Sequence, residues 1–156
     1  MRRRQSIPRQ WLIVNYDLDR QFWLVLRCLP RGSGVFLLVR PGASTLRRLH
    51  NVAILNDLLI IADVPGQVAR VHNLRELRWA LFWRTRIILL SPMFKTRSHP
   101  DWLPLSRMRA ATLARLGNRK LIALGGMTEE RYRQVADLGF IGWAGISAWT
   151  QQRRSK

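Results

Sequence analysis

The sequence predicts a parallel α/β fold, a sheet or barrel of repeated strand–helix units. Three observations carry this. Short apolar runs alternate with longer amphipathic ones along the whole chain. The short runs are apolar throughout rather than alternating, as expected of parallel strands covered on both faces. Turn and capping residues separate the two kinds of run, so each strand passes to the next through a right-handed crossover.

The elements follow in order. Trp11 to Asn15 reads as a strand, and Asp19 to Leu29 as a helix with Phe22, Leu26 and Leu29 at helical spacing. Pro30 to Gly34 is a turn, and Val35 to Val39 a second strand. Ser44 is placed to cap a helix carrying Leu46, Leu49, Ala53 and Ile54 on one side. Leu58 to Ala62 is a third strand. Leu74 to Trp83 is a helix that Asn73 can cap. Ile87 to Leu90 is a fourth strand, Ser106 to Leu116 a helix, and Leu121 to Leu124 a fifth strand. Thr128 caps a helix with Glu129 and Glu130 in its first turn, where the helix dipole favours acids. Ile141 to Ala144 is a sixth strand, and a short basic helix closes the chain.

Composition bounds the function. A chain of 156 residues, 47% hydrophobic, suits one domain with a real core. We take residues 11–150 as that domain, 1–10 as a basic extension and 151–156 as a basic tail. The formal net charge is +18, from 27 basic against 9 acidic residues. Only Lys95, Lys120 and Lys156 are lysines. The arginines are spread rather than concentrated in one element, which argues against a nucleic-acid surface and for anionic ligands in general. The tryptophans stand among apolar runs and read as core rather than as base-stacking platforms. Cys28 excludes an intrachain disulfide and reads as a core residue. No apolar run reaches membrane-spanning length, and the basic start is not followed by a signal-like segment, so a cytoplasmic protein is expected.

In parallel α/β folds the working residues lie at the carboxyl ends of the strands. Arg40-Pro41-Gly42 follows the second strand. Asp63 follows the third, as a metal ligand, an acid/base group or a turn aspartate before Pro65. After the fourth comes a proline-bracketed loop with Lys95, Thr96, Arg97, Ser98 and His99, an anion-binding set. After the fifth come Gly125, Gly126, Met127 and Thr128, and after the sixth Gly145, Ile146 and Ser147. Two glycine-bearing loops at adjacent strand ends, one opening a helix, form a phosphate site in which backbone N–H groups donate. No zinc spacing, Ser-His-Asp pattern, Walker loop or dinucleotide fingerprint is present.

These residues carry a resemblance. "LLSPMFKTRSHP" followed by "IALGGMTEERYRQVADLGFIGWAGISAW" resembles the carboxyl half of the thiamine phosphate synthase (TenI-like) family. Upstream, "VHNLREL", "LIIAD" and "GVFLLVR" are similar to further family segments. The resemblance implies a TIM-barrel-like (β/α) repeat. It also implies a transferase that joins hydroxymethylpyrimidine diphosphate to a thiazole phosphate in thiamine biosynthesis with Mg²⁺, or a TenI-like relative that binds or isomerises a thiazole phosphate. It assigns Gly125, Gly126, Ile146 and Ser147 to the thiazole phosphate and Thr96 to substrate near the diphosphate. It assigns Asp63 to metal or substrate and Arg40 to the pyrimidine-diphosphate loop, leaving Lys95, Arg97, Ser98 and His99 as diphosphate contacts.

The departures are specific. Pro41-Gly42-Ala43 replaces a family lysine, and Ser98-His99 stands where another is expected. Asp63 and His72 are too close in sequence for the two strands the family places between them. An incomplete barrel of six strands is therefore expected, without the second metal aspartate. Its open edges would be covered by repacking or by a second copy of the chain.

Overall fold

The computed structural model describes residues 7–64, 66–96, 99–118, 120–146 and 148–149. The elements run β1 (Gln10–Val14), α1 (Arg20–Cys28), β2 (Gly34–Leu37), α2 (Ala43–Asn56), β3 (Leu59–Ala62) and β4 (Val68–Val71). They continue α3 (Leu74–Phe82), β5 (Ile87–Leu90), α4 (Arg107–Leu116), β6 (Leu121–Leu124), α5 (Glu129–Val135) and β7 (Gly142–Gly145).

The seven strands form one sheet in the order β3-β2-β1-β7-β6-β5-β4, and every paired neighbour is parallel. The first strand pairs with the last, Trp11 opposite Ala144. β3 and β4 stand at the two ends of the order, unpaired with each other. The sheet nevertheless curls. Trp11, Ile13, Phe36, Ile61, Ile87, Leu89, Ile122 and Ala144 form one buried cluster along its inner face. Leu38, just after β2, and Arg70 of β4 line one cavity although β1, β7, β6 and β5 lie between them in the order, which a flat sheet would not allow. The molecule is a TIM-barrel-like (β/α) fold with a slit between β3 and β4.

Alternate residues face outward and make two further clusters. Leu12, Val14, Val35 and Leu37 pack under α1 and α2 against Phe22, Leu26 and Leu49. Ile88, Leu90, Leu121, Ala123 and Trp143 pack under α3, α4 and α5 against Leu77, Leu113, Tyr132 and Val135. Each strand except β4 is thus apolar on both faces, which is why no alternation was visible in its sequence.

Caps set where four helices begin. Asp19, Asn73, Ser106 and Thr128 each accept a hydrogen bond from the backbone N–H three residues on. The α2 start differs from expectation: Gly42, not Ser44, is its N-cap, and no side chain caps it. The chain leaves Pro41-Gly42 already turning, so Ser44 falls inside the first turn.

Three other expectations are corrected. There are seven strands, not six. β4 went unseen because VARV is an end strand that places Arg70 among apolar residues, so it lacks the continuous apolar run of its neighbours. Cys28 is exposed, because α1 buries Phe22, Trp23, Val25 and Leu26 and its last residue falls off that stripe. Trp11, Trp23 and Trp143 are core, but Trp79, Trp83 and Trp102 are exposed. The closing basic helix lies outside the described residues.

Candidate functional site

The sequence placed two loops at neighbouring strand ends, and the fold ties them together. The Met93 N–H donates to the Leu124 carbonyl and the Phe94 N–H to the Gly125 carbonyl, both at 3.0 Å. The loop after β5 therefore runs as an extension of the β5–β6 ladder, past a cis Ser91-Pro92 peptide. This approach demands glycine. Gly125 and Gly126 have φ of 97° and 62°. A Cβ on Gly126 would lie 2.7 Å from the Lys95 carbonyl oxygen.

Above these loops lies a cavity of about 470 Å³, within the roughly 300–1,000 Å³ usual for small-molecule sites. It opens at the carboxyl ends of β1, β2, β4, β5, β6 and β7. Lys95, Thr96, His99, Gly125, Gly126 and Ile146, all expected from sequence, line it. Thr96 also shapes its own loop, because Oγ1 accepts from the His99 N–H at 3.0 Å. Arg97, Ser98 and Ser147 lie outside the described residues. Arg40 and Asp63 are exposed after β2 and β3 and do not line the cavity. The Asp63 N–H donates to the Leu37 carbonyl at 3.0 Å, prolonging the β2–β3 ladder.

Among the lining residues not singled out from sequence as site groups are Arg70, His72, Trp102 and Arg131. Arg70 points inward from β4. Arg131, in the first turn of α5, donates to the Gly126 carbonyl and lies 5.1 Å over the Phe94 ring. His99 stacks on Trp102 with centroids 4.4 Å apart, and His72 meets the same indole edge-on at 5.4 Å. The one signal available was spacing: Arg131 stands three residues after the capping Thr128, where a side chain returns over the glycine loop.

His72 is held from behind. Glu76 Oε2 accepts from the His72 N–H at 2.7 Å and lies 2.9 Å from Nδ1, while Oε1 accepts from Asn73 at 2.8 Å. Burial raises the Glu76 pKa, but the hydrogen bonds from His72 and Asn73 and the His72 charge outweigh it and hold the group below the usual carboxylate range. With Nδ1–H donating to this carboxylate, Nε2 of His72 is the nitrogen left for a ligand.

No Asp or Glu lines the cavity, and among the described residues no group of three His, Cys, Asp or Glu side chains is placed to hold a metal ion. Magnesium binds through carboxylates together with phosphate oxygens. The donor set here does not fit it. The lining is cationic instead, with Arg70, Lys95 and Arg131 beside two imidazoles.

A curled parallel β/α sheet with a cationic, glycine-floored cavity at its carboxyl end defines a TIM-barrel-like scaffold whose cavity suits an anionic small molecule. The comparisons with known proteins narrow that class. The thiamine monophosphate synthase family model matches residues 69–149, just over half of the chain, and the chain belongs to that family.

A putative thiamine-phosphate synthase 2 from Aquifex aeolicus (strain VF5) is 34% identical over 80 residues, covering 51% of this chain and 43% of the relative. The match thus spans less than half of that curated protein. A thiamine phosphate pyrophosphorylase from Pyrococcus furiosus superposes with a TM-score of 0.69 at 15% identity, over 92% of this chain and 88% of that one. One from Bacteroides thetaiotaomicron superposes with a TM-score of 0.54 at 15% identity, over 92% and 85%. At that identity the two structures speak for the fold.

Proposed function

We propose that the chain joins hydroxymethylpyrimidine diphosphate to a thiazole phosphate, forming thiamine phosphate and releasing diphosphate. One observation carries the reading. The loops after β5 and β6, tied by backbone hydrogen bonds into the floor of one cationic cavity, fall within the span that the family model matches.

The thiazole phosphate is held by the Gly125–Gly126 loop and the backbone around Ile146, where N–H groups and the start of α5 favour an anion. The thiazole nitrogen's electron pair attacks the pyrimidine's methylene carbon. The carbon–oxygen bond to the diphosphate breaks, and its electron pair leaves with the diphosphate. Lys95, Thr96 and His99 lie at the cavity wall where that charge develops, and a fixed cation there stabilises the transition state more than the ground state.

The test is a product assay on the purified chain with both substrates, reading thiamine phosphate. Product that forms only when both are present is the expected result. A folded preparation that binds both ligands and forms none contradicts the reading.

A further inference from the structure

We propose that this cavity neutralises a diphosphate with its own side chains rather than with a divalent cation, and that Arg70 stands in the cation's place. The inference rests on the reading above in one respect, that a diphosphate is a ligand. Its grounds are otherwise separate.

The first ground is where the carboxylates go. The chain has nine. Glu76 is committed to His72 and Asn73, Glu129 to Arg9, Arg133 and Trp143, and Asp137 to Arg107. Asp19 caps α1, and Asp57 ends α2 at the opposite end of the sheet. Asp17, Asp63, Asp101 and Glu130 are exposed, and none of them lines the cavity. A divalent ion bridging phosphate oxygens here would have no carboxylate of this chain to hold it.

The second ground is Arg70 itself. Strand alternation puts Val68 and Arg70 on the inner face of β4 and Val71 in the outer core. An arginine facing the interior of a closed barrel would be buried at heavy cost. Here β4 borders the slit, so Arg70 stays hydrated while lining the cavity. Its partner in register is Leu89 of β5, whose loop carries Lys95 and Thr96. Among the described residues Arg70 makes no ion pair, so its guanidinium is available. A guanidinium grips phosphate oxygens in pairs, as a divalent ion does, and needs no carboxylate support.

The experiment is calorimetric titration of the full chain with inorganic pyrophosphate, once in EDTA and once in excess Mg²⁺. Binding in EDTA is expected to be at least as tight as in Mg²⁺, because Mg²⁺ complexes the ligand. Arg70→Gln should weaken it about ten- to a hundredfold in EDTA, the scale of a lost charged hydrogen bond or two. Arg70→Lys should recover part of the loss.

Arg115→Gln, the same charge change on exposed α4, should leave the affinity unchanged and so separates a site from the general attraction of a basic protein. Pyrophosphate affinity that appears only with Mg²⁺, that is absent in both buffers, or that is equal in Arg70→Gln and wild type overturns the proposal. Because this readout uses neither thiazole phosphate nor product, failure of the synthase reading leaves it standing, and its own failure leaves the product assay untouched.

Discussion

The two halves of the sheet end differently. After β5, β6 and β7 the chain is tied down: two backbone hydrogen bonds cross between loops, two glycines adopt positive φ, and Arg131 returns over the floor. After β2 and β3 the ladder runs on by one backbone hydrogen bond, from the Asp63 N–H to the Leu37 carbonyl, and the chain then turns. Arg40 and Asp63 are exposed, and neither reaches the cavity. Yet the strands of the amino half are as well buried as the others, with Leu12, Val14, Val35, Phe36 and Leu37 in the core. The amino half therefore acts as wall and the carboxyl half as site. The family model divides the chain in nearly the same place, matching from Ala69 onward. Packing alone can preserve a wall under many sequences, whereas a loop that approaches a phosphate has few alternatives.

The largest effect that could break this division falls on the wall. Trp11 is buried on the inner face of β1, and its indole N–H donates to the Pro8 carbonyl at 2.7 Å. Trp11→Ala should cost about 3–5 kcal/mol of stability, read as a lower denaturant midpoint. If the division holds, ligand affinity measured below the new transition changes little. A large loss of affinity in protein that is still folded would make the amino half part of the site.

A smaller effect sharpens the site's own border. The pKa of Glu76 is depressed in the folded chain, so the unfolded chain takes up its proton first as pH falls. The stabilisation is therefore present above the unfolded value of about 4.3 and is lost as pH drops through the folded one. Glu76→Gln should lower stability at neutral pH by roughly 0.5–1 kcal/mol, small because the side chain is 42% exposed and screened by solvent. Thermal melts of variant and wild type should converge as pH falls through the depressed folded value of Glu76. A difference that grows in acid would contradict the assignment of these hydrogen bonds to the ionised form.

The sequence was most legible where a residue type has one physical use. Asn73 and Thr128 as caps and two-faced apolar strands were read correctly for that reason. It was least legible at the slit. Val68 to Val71 is a strand only because β5 pairs with it, and its inward Arg70 is tolerable only because nothing covers that edge in the sheet. Both facts are tertiary and leave no local pattern. The tryptophan of the site was misread for a similar cause. Trp102 takes its place from the His99 and His72 rings beside it, and those contacts join residues from two different loops.

The central claim is that the loops of β5 to β7 form a phosphate site. Titration with thiazole phosphate tests it most directly, using wild type, Gly126→Asp and, as a charge reversal on the facing loop, the exposed Lys95→Glu. Single-site binding by the wild type is predicted, with at least a tenfold loss in each variant that keeps its melting transition. Equal affinity in wild type and folded variants would contradict the account.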